Sequence, residues 1–351
     1  MTISIIENVA VRGIVTVVPE AYIDNLDVPE DQLRQRQRLI KHIGIRYRHI
    51  CRNGMIFSDL AQKSVEYLLD GLGWEGDSID ALILVTQSPE YTIPATSCIL
   101  QDRLGLPTSV SAFDINLGCS GYTYGLFTCA SMIGKKRFKR VIAIIGDQSG
   151  SDGSADNGWE VLFGDSCSAT ALEFEEGASD MYFEGNTDGS GYDKIIIPHG
   201  GRRHPFGADS LQPITGEDGI TRSPMDVKLD GPAIMNFSVN KAPESINRVL
   251  ASLGKNVADI DYFVMHQANK MINDTIKFKV GGVPEQWPLS LENYGNTSST
   301  SIPMTITGNL SKETSEGKVK WLTCGFGIGL SWGTLYFETD KIFCPPPIEI
   351  K

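Results

Sequence analysis

Cys119 lies in the stretch Phe113 to Leu126, FDINLGCSGYTYGL, where an apolar strand-like run passes through Gly118, Cys119, Ser120 and Gly121 into an apolar helix-like run. A thiol at a helix start faces unpaired backbone N–H groups and the positive end of the helix dipole. Both lower its pKa and favour the nucleophilic thiolate. Gly118 and Gly121 have no Cβ, so backbone and substrate can approach the sulfur closely. The bland alternative is a buried inert thiol, the usual fate of a cytosolic cysteine. Cys51, Cys98, Cys129, Cys167, Cys324 and Cys344 lack the strand–Gly–Cys–helix setting and are read as structural.

A second group with chemical potential is His266 to Asn269, HQAN, at the C-terminal end of an apolar run, where α/β folds gather their catalytic groups. The chain has five histidines, and His42, His49, His199 and His204 sit in charged or loop-like surroundings. A lone histidine is more often a satisfied polar residue than a catalyst. The third group is Tyr294 to Pro303, YGNTSSTSIP, followed by Gly325 to Gly333, GFGIGLSWG. The glycine spacing does not match a dinucleotide loop, and too little chain follows to complete one. Taken alone, Asn296 reads as a turn or helix-cap residue.

These residues need a scaffold. With 351 residues, 41% hydrophobic and 21% charged, the chain has the composition of a soluble globular enzyme of two or three domains or one large fused pair. A net charge of −12 argues against nucleic-acid binding, which depends on neutralising phosphates. Seven cysteines without a small-scaffold spacing imply reduced thiols in the cytoplasm, and no CxxC pair suggests a metal site. Met1 to Ala10 reads as a first strand rather than a secretory signal. The uncharged stretch Ile115 to Gly134 contains Asn116, four glycines and several hydroxyls, so it reads as a buried core helix and not a membrane span.

The chain also repeats itself. Leu69, Leu72, Gly73, Ile79 and Asp80 recur at constant offset as Leu250, Leu253, Gly254, Ile260 and Asp261. Each set closes an amphipathic helix on a glycine and leads into an apolar strand, Ala81 to Val85 or Tyr262 to Met265. Arg140 to Gly146 and Lys318 to Gly325 echo each other as basic-led apolar runs ending on glycine. Alternating helices and strands imply an α/β architecture with strands covered on both faces. The division expected is residues 1–176, holding Cys119, and residues 177–351, holding His266 and Asn296. The polar stretch from Gly177 to Ser223 reads as boundary and surface excursion, and Asp147 to Gly158 as an exposed loop.

Together, GIRYRHI at Gly44 to Ile50, DINLGCSGYTYGL, VLFGDS, HQAN, GNTSSTSIP and GFGIGLSWG resemble the β-ketoacyl-acyl carrier protein synthase III family of the thiolase superfamily, from about residue 8 to residue 340. The resemblance implies a thiolase fold of two similar halves in five αβαβα layers, assembled as a homodimer. It implies that Cys119 takes an acyl group from a thioester, and that His266 and Asn296 donate hydrogen bonds to the thioester oxygen of a malonyl unit, stabilising the enolate that decarboxylation creates. Backbone N–H groups of Cys119 and Ile328 would form the oxyanion hole. Substrates would be coenzyme A or acyl carrier protein thioesters, with neither metal nor redox cofactor.

Departures from the family pattern narrow this. Where members primed by acetyl-CoA hold the adenine with a tryptophan and arginines, this chain has Arg38, His42 and Asn157, and an arginine expected five residues beyond the histidine is Met271. A donor delivered on acyl carrier protein, or a specialised pathway, stays open. Such a carrier is acidic and needs a basic face, for which Lys270, Lys277 and Lys279 are candidates, with Arg34, Arg36, Arg38 and Lys41 as a second patch. An ordinary solvated face is the alternative for the lysines. Ile93, in YTIPAT, stands where the family places a partner-subunit aromatic limiting the acyl pocket, implying room for more than acetyl. Two other readings stay open: an acyltransferase passing the acyl group to an oxygen or nitrogen nucleophile, and a non-catalytic acyl-binding partner subunit. Hydroxymethylglutaryl-CoA synthase, a further relative, calls for a glutamate base that the early motifs lack.

Overall fold

The computed structural model of the protein describes residues 3–148, 161–216, 219 and 221–351. Asn157 and the rest of 149–160 lie outside the described residues. Two sheets organise the chain. The first has the strand order Ile348–Ile350, Val9–Pro19, Ser166–Phe174, Arg140–Asp147, Ala81–Val85, Ser111–Ile115. The second runs Ser4–Ile6, Met181–Thr187, Ser331–Asp340, Lys318–Gly327, Tyr262–Met265.

The strand Ala81–Val85, ALILV, shows why both faces of a sheet are covered. Successive side chains point to opposite faces. Ile83 and Val85 pack into the core between the sheets, and Leu82 and Leu84 into the core under the helix Phe57–Leu72. An uninterrupted apolar run is what a strand buried on both faces requires. Between the sheets lie the helices Gly121–Met132 and Ser301–Glu316, with Tyr122, Leu126, Ile302 and Ile306 meeting Val264, Trp321, Leu335 and Phe337 of the second sheet. The helices Gly231–Leu253 and Lys270–Val280 cover the outer face of that second sheet. The order is therefore helix, sheet, helix, sheet, helix, as expected for a thiolase fold.

The helix Gly121–Met132 is the uncharged stretch read as a core helix, and it is buried on most of its surface. A Cβ on Gly121 or Gly125 would stand 2.8 or 2.9 Å from Val85, so these glycines let the helix lie directly on the first sheet. Among the described residues no helix is long and apolar enough to cross a membrane.

The internal repeat is physical. Gly73 and Gly254 end their helices with φ of 61° and 63°, a left-handed conformation that favours glycine. The paired aspartates have a shared task. Asp80 accepts hydrogen bonds from the amides of Lys139 and Arg140, and Asp261 from that of Lys320, at the start of the neighbouring parallel strand. The echoing runs Arg140 to Gly146 and Lys318 to Gly325 lie in those strands.

The chain passes from the first sheet to the second between Phe174 and Met181, but its ends are exchanged. Ser4–Ile6 pairs with the second sheet and Ile348–Ile350 with the first. Two expectations for the polar stretches need correction. Met181–Thr187, inside the supposed excursion, is a strand of the second sheet. Asp147, placed at the start of an exposed loop, is buried at the end of the strand Arg140–Asp147, because its carboxylate finds hydrogen-bond donors there.

Candidate active site

Cys119 follows the strand Ser111–Ile115 and stands just before the helix Gly121–Met132, with Ser120 as its N-cap. The glycine loop Gly325 to Gly329 lies against it. A Cβ on Gly327 would come 2.6 Å from Cys119 Cβ and 2.9 Å from its sulfur, so only glycine allows this approach. The backbone N–H groups of Ile328 and of Cys119 itself both face the sulfur. These are the two amides the resemblance names for an oxyanion hole.

The direction of the thiol pKa corrects the expectation from the helix start. Burial pushes it up to about 11, and Asp147 adds to the rise, against the lowering by the Ile328 amide, the Ser298 side chain and the Cys119 amide. Desolvation of a charged sulfur outweighs these hydrogen bonds. The resting group is a thiol.

His266 follows the strand Tyr262–Met265 and is buried. Its Nδ1 is 2.8 Å from Ser301 Oγ and 3.1 Å from the Ser298 carbonyl, and its ring packs edge-on to Phe326 with centroids 5.4 Å apart. Burial pulls its pKa down to about 4, so at neutral pH it is an uncharged imidazole. Asn296 is held by its own turn. Its amide donates to the Leu162 carbonyl at 2.8 Å, and its Oδ1 accepts from the Ser298 amide at 2.9 Å. Its Nδ2 approaches the Ala268 carbonyl at 3.4 Å. The turn role anticipated for Asn296 is thus real, and it fixes the carboxamide beside the histidine loop.

Cys119, His266 and Asn296 line one cavity of about 730 Å³. Asp147 and Ser298, which the sequence did not single out, line it too. Asp147 Oδ1 accepts from the Gln87 amide at 2.6 Å and the Thr86 hydroxyl at 3.3 Å, and Oδ2 from the Ser299 hydroxyl at 3.1 Å. Burial raises its pKa above the ordinary carboxyl range, although the hydrogen bonds oppose this. Away from these groups Ile195, Ile196 and Ile197 of the excursion, with Met225, Val227 and Leu229 just past its end at Ser223, give the cavity an apolar side that Asp226 interrupts. Three consecutive isoleucines in a polar stretch were the available signal for that wall.

Other expected site residues fall elsewhere. Ile93 is 84% exposed and does not line the cavity of its own chain. Lys270 and Lys277 share Asp274 as an ion-pair partner, and Lys279 donates to the Val239 carbonyl and to Asn240 Oδ1. Asp274 therefore offsets part of the charge of Lys270 and Lys277, whereas the partners of Lys279 are uncharged. Lys270 also borders Lys41 and His42 across a shallow pocket, with Met271 and the 87% exposed Phe278 beside them. Among the described residues no group of three or more His, Cys, Asp or Glu could hold a metal ion.

The layered architecture is that of the thiolase-fold condensing enzymes. Residues 113–189 match the 3-oxoacyl-[acyl-carrier-protein] synthase III family, and residues 250–339 match the family of its C-terminal part. A β-ketoacyl-[acyl-carrier-protein] synthase III of Streptococcus pneumoniae is 31% identical over 326 residues, which is 91% of this chain and 95% of that protein. The crystal structure of a 3-oxoacyl-(acyl-carrier protein) synthase from Burkholderia xenovorans LB400 superposes with a TM-score of 0.92 at 34% identity, covering 99% of both chains. A synthase III from Pseudomonas aeruginosa PAO1 gives a TM-score of 0.78 at 25% identity, covering 96% of this chain and 99% of that one. The chain belongs to the 3-oxoacyl-[acyl-carrier-protein] synthase III family.

Proposed function

We propose that the protein transfers an acyl group from a thioester to Cys119 and then condenses it with a malonyl unit on acyl carrier protein, releasing carbon dioxide and a 3-oxoacyl thioester. The observation that carries this reading is the convergence of Cys119, His266 and Asn296 on one cavity, with the Cys119 and Ile328 amides turned to the sulfur. In the first half-reaction the sulfur attacks the thioester carbonyl, and the two amides receive the oxyanion. In the second, a malonyl thioester oxygen lies between His266 Nε2 and Asn296 Nδ2. Loss of carbon dioxide leaves an enolate whose charge those donors stabilise. Its carbon attacks the acyl-cysteine, and Cys119 is the leaving group. A neutral His266 suits the task, because a donor of modest charge does not hold the malonyl carboxylate back from departure. Neither half-reaction changes an oxidation state, and the protein groups answer the charge that develops, so the reading requires no cofactor besides the thioester substrates.

The apolar wall from Ile195 to Leu229 takes the extended chain of the substrate. For the carrier, we place docking on the surface joining Lys41, His42 and Lys270, where Met271 and Phe278 offer apolar contact and the basic groups meet an acidic partner. Ile93, standing in solvent beside the 58% exposed Tyr91, is the residue we assign to contact with a second copy of the chain.

The test is incubation with a panel of coenzyme A and carrier-protein thioesters, reading acyl mass on the Cys119 peptide, followed by malonyl carrier and carbon dioxide release. The reading requires an adduct that Cys119→Ala abolishes and decarboxylation that depends on His266 and Asn296. Acylation without decarboxylation would assign the protein to acyl transfer onto an oxygen or nitrogen nucleophile, and neither would assign it to a non-catalytic acyl-binding subunit.

A further inference from the structure

The two amides assigned to the oxyanion hole belong to distant parts of the chain. Cys119 lies in the loop before the helix Gly121–Met132, and Ile328 in the tip of the hairpin that joins Lys318–Gly327 to Ser331–Asp340. Gly327 pairs with Ser331 across the base of that tip, so Ile328, Gly329 and Leu330 make the whole turn. The close approach of Gly327 to the sulfur demands glycine there, and a second glycine, Gly329, follows Ile328. A tip with glycine on both sides of Ile328 has little in its own residues to fix that peptide. Its hold must come from outside.

Two serine hydroxyls supply it. Ser331 Oγ donates to the Ile328 carbonyl at 2.8 Å, and Ser120 Oγ stands 2.6 Å from Ser331 Oγ. A serine hydroxyl has one proton. That of Ser331 is committed to the carbonyl, so Ser120 is the donor between the two. Both serines are buried, in a low-dielectric interior where water does not compete for their bonds. Ser120 directly follows Cys119, and a Cβ on Gly325 would stand 2.8 Å from Ser120 Cα, so the hairpin lies against the residue that donates. The Ser120 hydroxyl is free for this task because it caps no amide of its own helix, although Ser120 is the N-cap. On the far side of the tip Leu330 exchanges two backbone bonds with Asp188, at 2.8 and 3.0 Å, which tie it to the end of Met181–Thr187 and not to the cysteine.

We propose that Ser120 and Ser331 are positioning residues of the oxyanion hole, a hydroxyl chain that sets the Ile328 amide against the Cys119 amide so that both meet one thioester oxygen. The proposal rests on the acyl-transfer reading of the site. An oxyanion donor works over a narrow range, about 2.7–3.1 Å from the oxygen it stabilises. Two loops that meet by packing alone leave that separation loose. A hydrogen-bonded link from the residue beside the nucleophile to the carbonyl of Ile328 narrows it. Neither serine is among the residues lining the cavity, so both act through the Ile328 peptide rather than on the substrate.

The test compares the native protein with Ser331→Ala, Ser120→Ala and the double variant. Acyl-CoA labelled with carbon-13 at its thioester carbonyl is supplied without malonyl carrier, and the carbonyl band of acyl-Cys119 is read by infrared difference against the unlabelled acyl-enzyme. Oxyanion donors polarise that carbonyl and hold its band at low frequency. In Ser331→Ala the band is expected to move to higher frequency, and single-turnover acylation at saturating thioester to slow about tenfold to a hundredfold, with the half-saturating concentration within about threefold of native. Ser120→Ala leaves Ser331 on the carbonyl, so a smaller shift and about threefold to tenfold slower acylation are expected, with the double variant no slower than Ser331→Ala because Ser120 acts through Ser331. Alkylation of Cys119 by iodoacetamide forms no oxyanion and should stay within about twofold of native in all three.

A native band with native acylation in a folded Ser331→Ala overturns the proposal. So does an equal loss of alkylation, which would make the serines supports of the sulfur, and so do losses that add in the double variant. Should Ser331→Ala not fold, Ser120→Ala decides by the same readings, since it removes no helix cap. If no thioester acylates the native protein, the acyl-transfer reading fails. Hydrogen exchange at the Ile328 amide, followed by NMR on the free isoleucine-labelled protein, still decides the link: faster exchange in the alanine variants sustains it, and native exchange overturns it.

Discussion

Ser301 offers a sharp test of how His266 works. The Ser301 hydroxyl has one proton and two acceptors in range, His266 Nδ1 at 2.8 Å and the Ser298 carbonyl at 2.8 Å. If the proton goes to Nδ1, the imidazole carries its own proton on Nε2 and can donate to an enolate oxygen. If it goes to the Ser298 carbonyl, Nδ1 must hold the ring proton, and Nε2 presents a lone pair to a negatively charged oxygen. Enolate stabilisation requires the first arrangement. Ser301→Ala removes the donor and leaves Nδ1 facing only the carbonyl at 3.1 Å, which selects the second. An oxyanion donor contributes about 3 kcal/mol to a barrier, but the ring can recover its useful tautomer at a cost of about half that, so decarboxylation is expected to fall roughly tenfold to a hundredfold. Acylation of Cys119 should stay within about threefold, since it does not use the imidazole. The assay is carbon dioxide release from malonyl carrier beside acyl mass gain on Cys119, with nitrogen NMR of His266 to read the tautomer. The lost hydroxyl also accepts from the Gln267 amide at 3.2 Å, so about 1–3 kcal/mol of stability should go with it. Ser301→Thr, which keeps the hydroxyl, should restore decarboxylation. Native decarboxylation in a folded Ser301→Ala, or equal loss of both half-reactions, would refute this account of the imidazole.

The same histidine predicts acid lability. Its folded pKa of about 4 lies below the unfolded value of about 6.5, so stability is intact above pH 6.5 and falls as pH drops from there toward 4, by roughly 3 kcal/mol in all. Denaturant melts at several pH values should show this slope flattened in His266→Gln. Gly327→Ala puts a Cβ 2.6 Å from Cys119 Cβ and pushes the Ile328 amide off the sulfur. Acylation should fall about a hundredfold or more in a single-turnover assay. Phe278→Asp, on a fully solvated side chain, should leave melting unchanged and raise KM severalfold for carrier-borne thioesters but not for free pantetheine thioesters.

Much of this site was legible before the fold was known, for local reasons. A glycine-flanked cysteine between a strand run and a helix run, and a histidine closing an apolar strand, announce their backbone positions through nearby residues. Gly73 and Gly254 marked the repeat because a left-handed helix end is a local demand. What escaped was nonlocal. Asp147 closes an ordinary apolar run, and Ser298 is one hydroxyl among six in Thr297 to Thr305, so their meeting beside Cys119 exists only in the folded chain. The thiol pKa went the wrong way because a helix start is visible in sequence and the depth of burial is not. Asp274, spaced four from Lys270 and three from Lys277, stands at pairing distance for a helix, a local signal that reading the lysines as a basic patch passed over. Ser4–Ile6 lies within the stretch read as a first strand, but three residues there, as at Ile348–Ile350, are too few to say which sheet each end joins.

The reacting groups are anchored at strand ends and turns scattered between Asp147 and Ile328 along with Cys119, whereas about half of the greasy lining comes from the excursion and the few residues after it, between Tyr192 and Leu229. Selectivity and reactivity are thereby entrusted to different parts of the polypeptide. Swapping that one excursion between family members could retune which chain is accepted while the apparatus that makes the bond is inherited untouched.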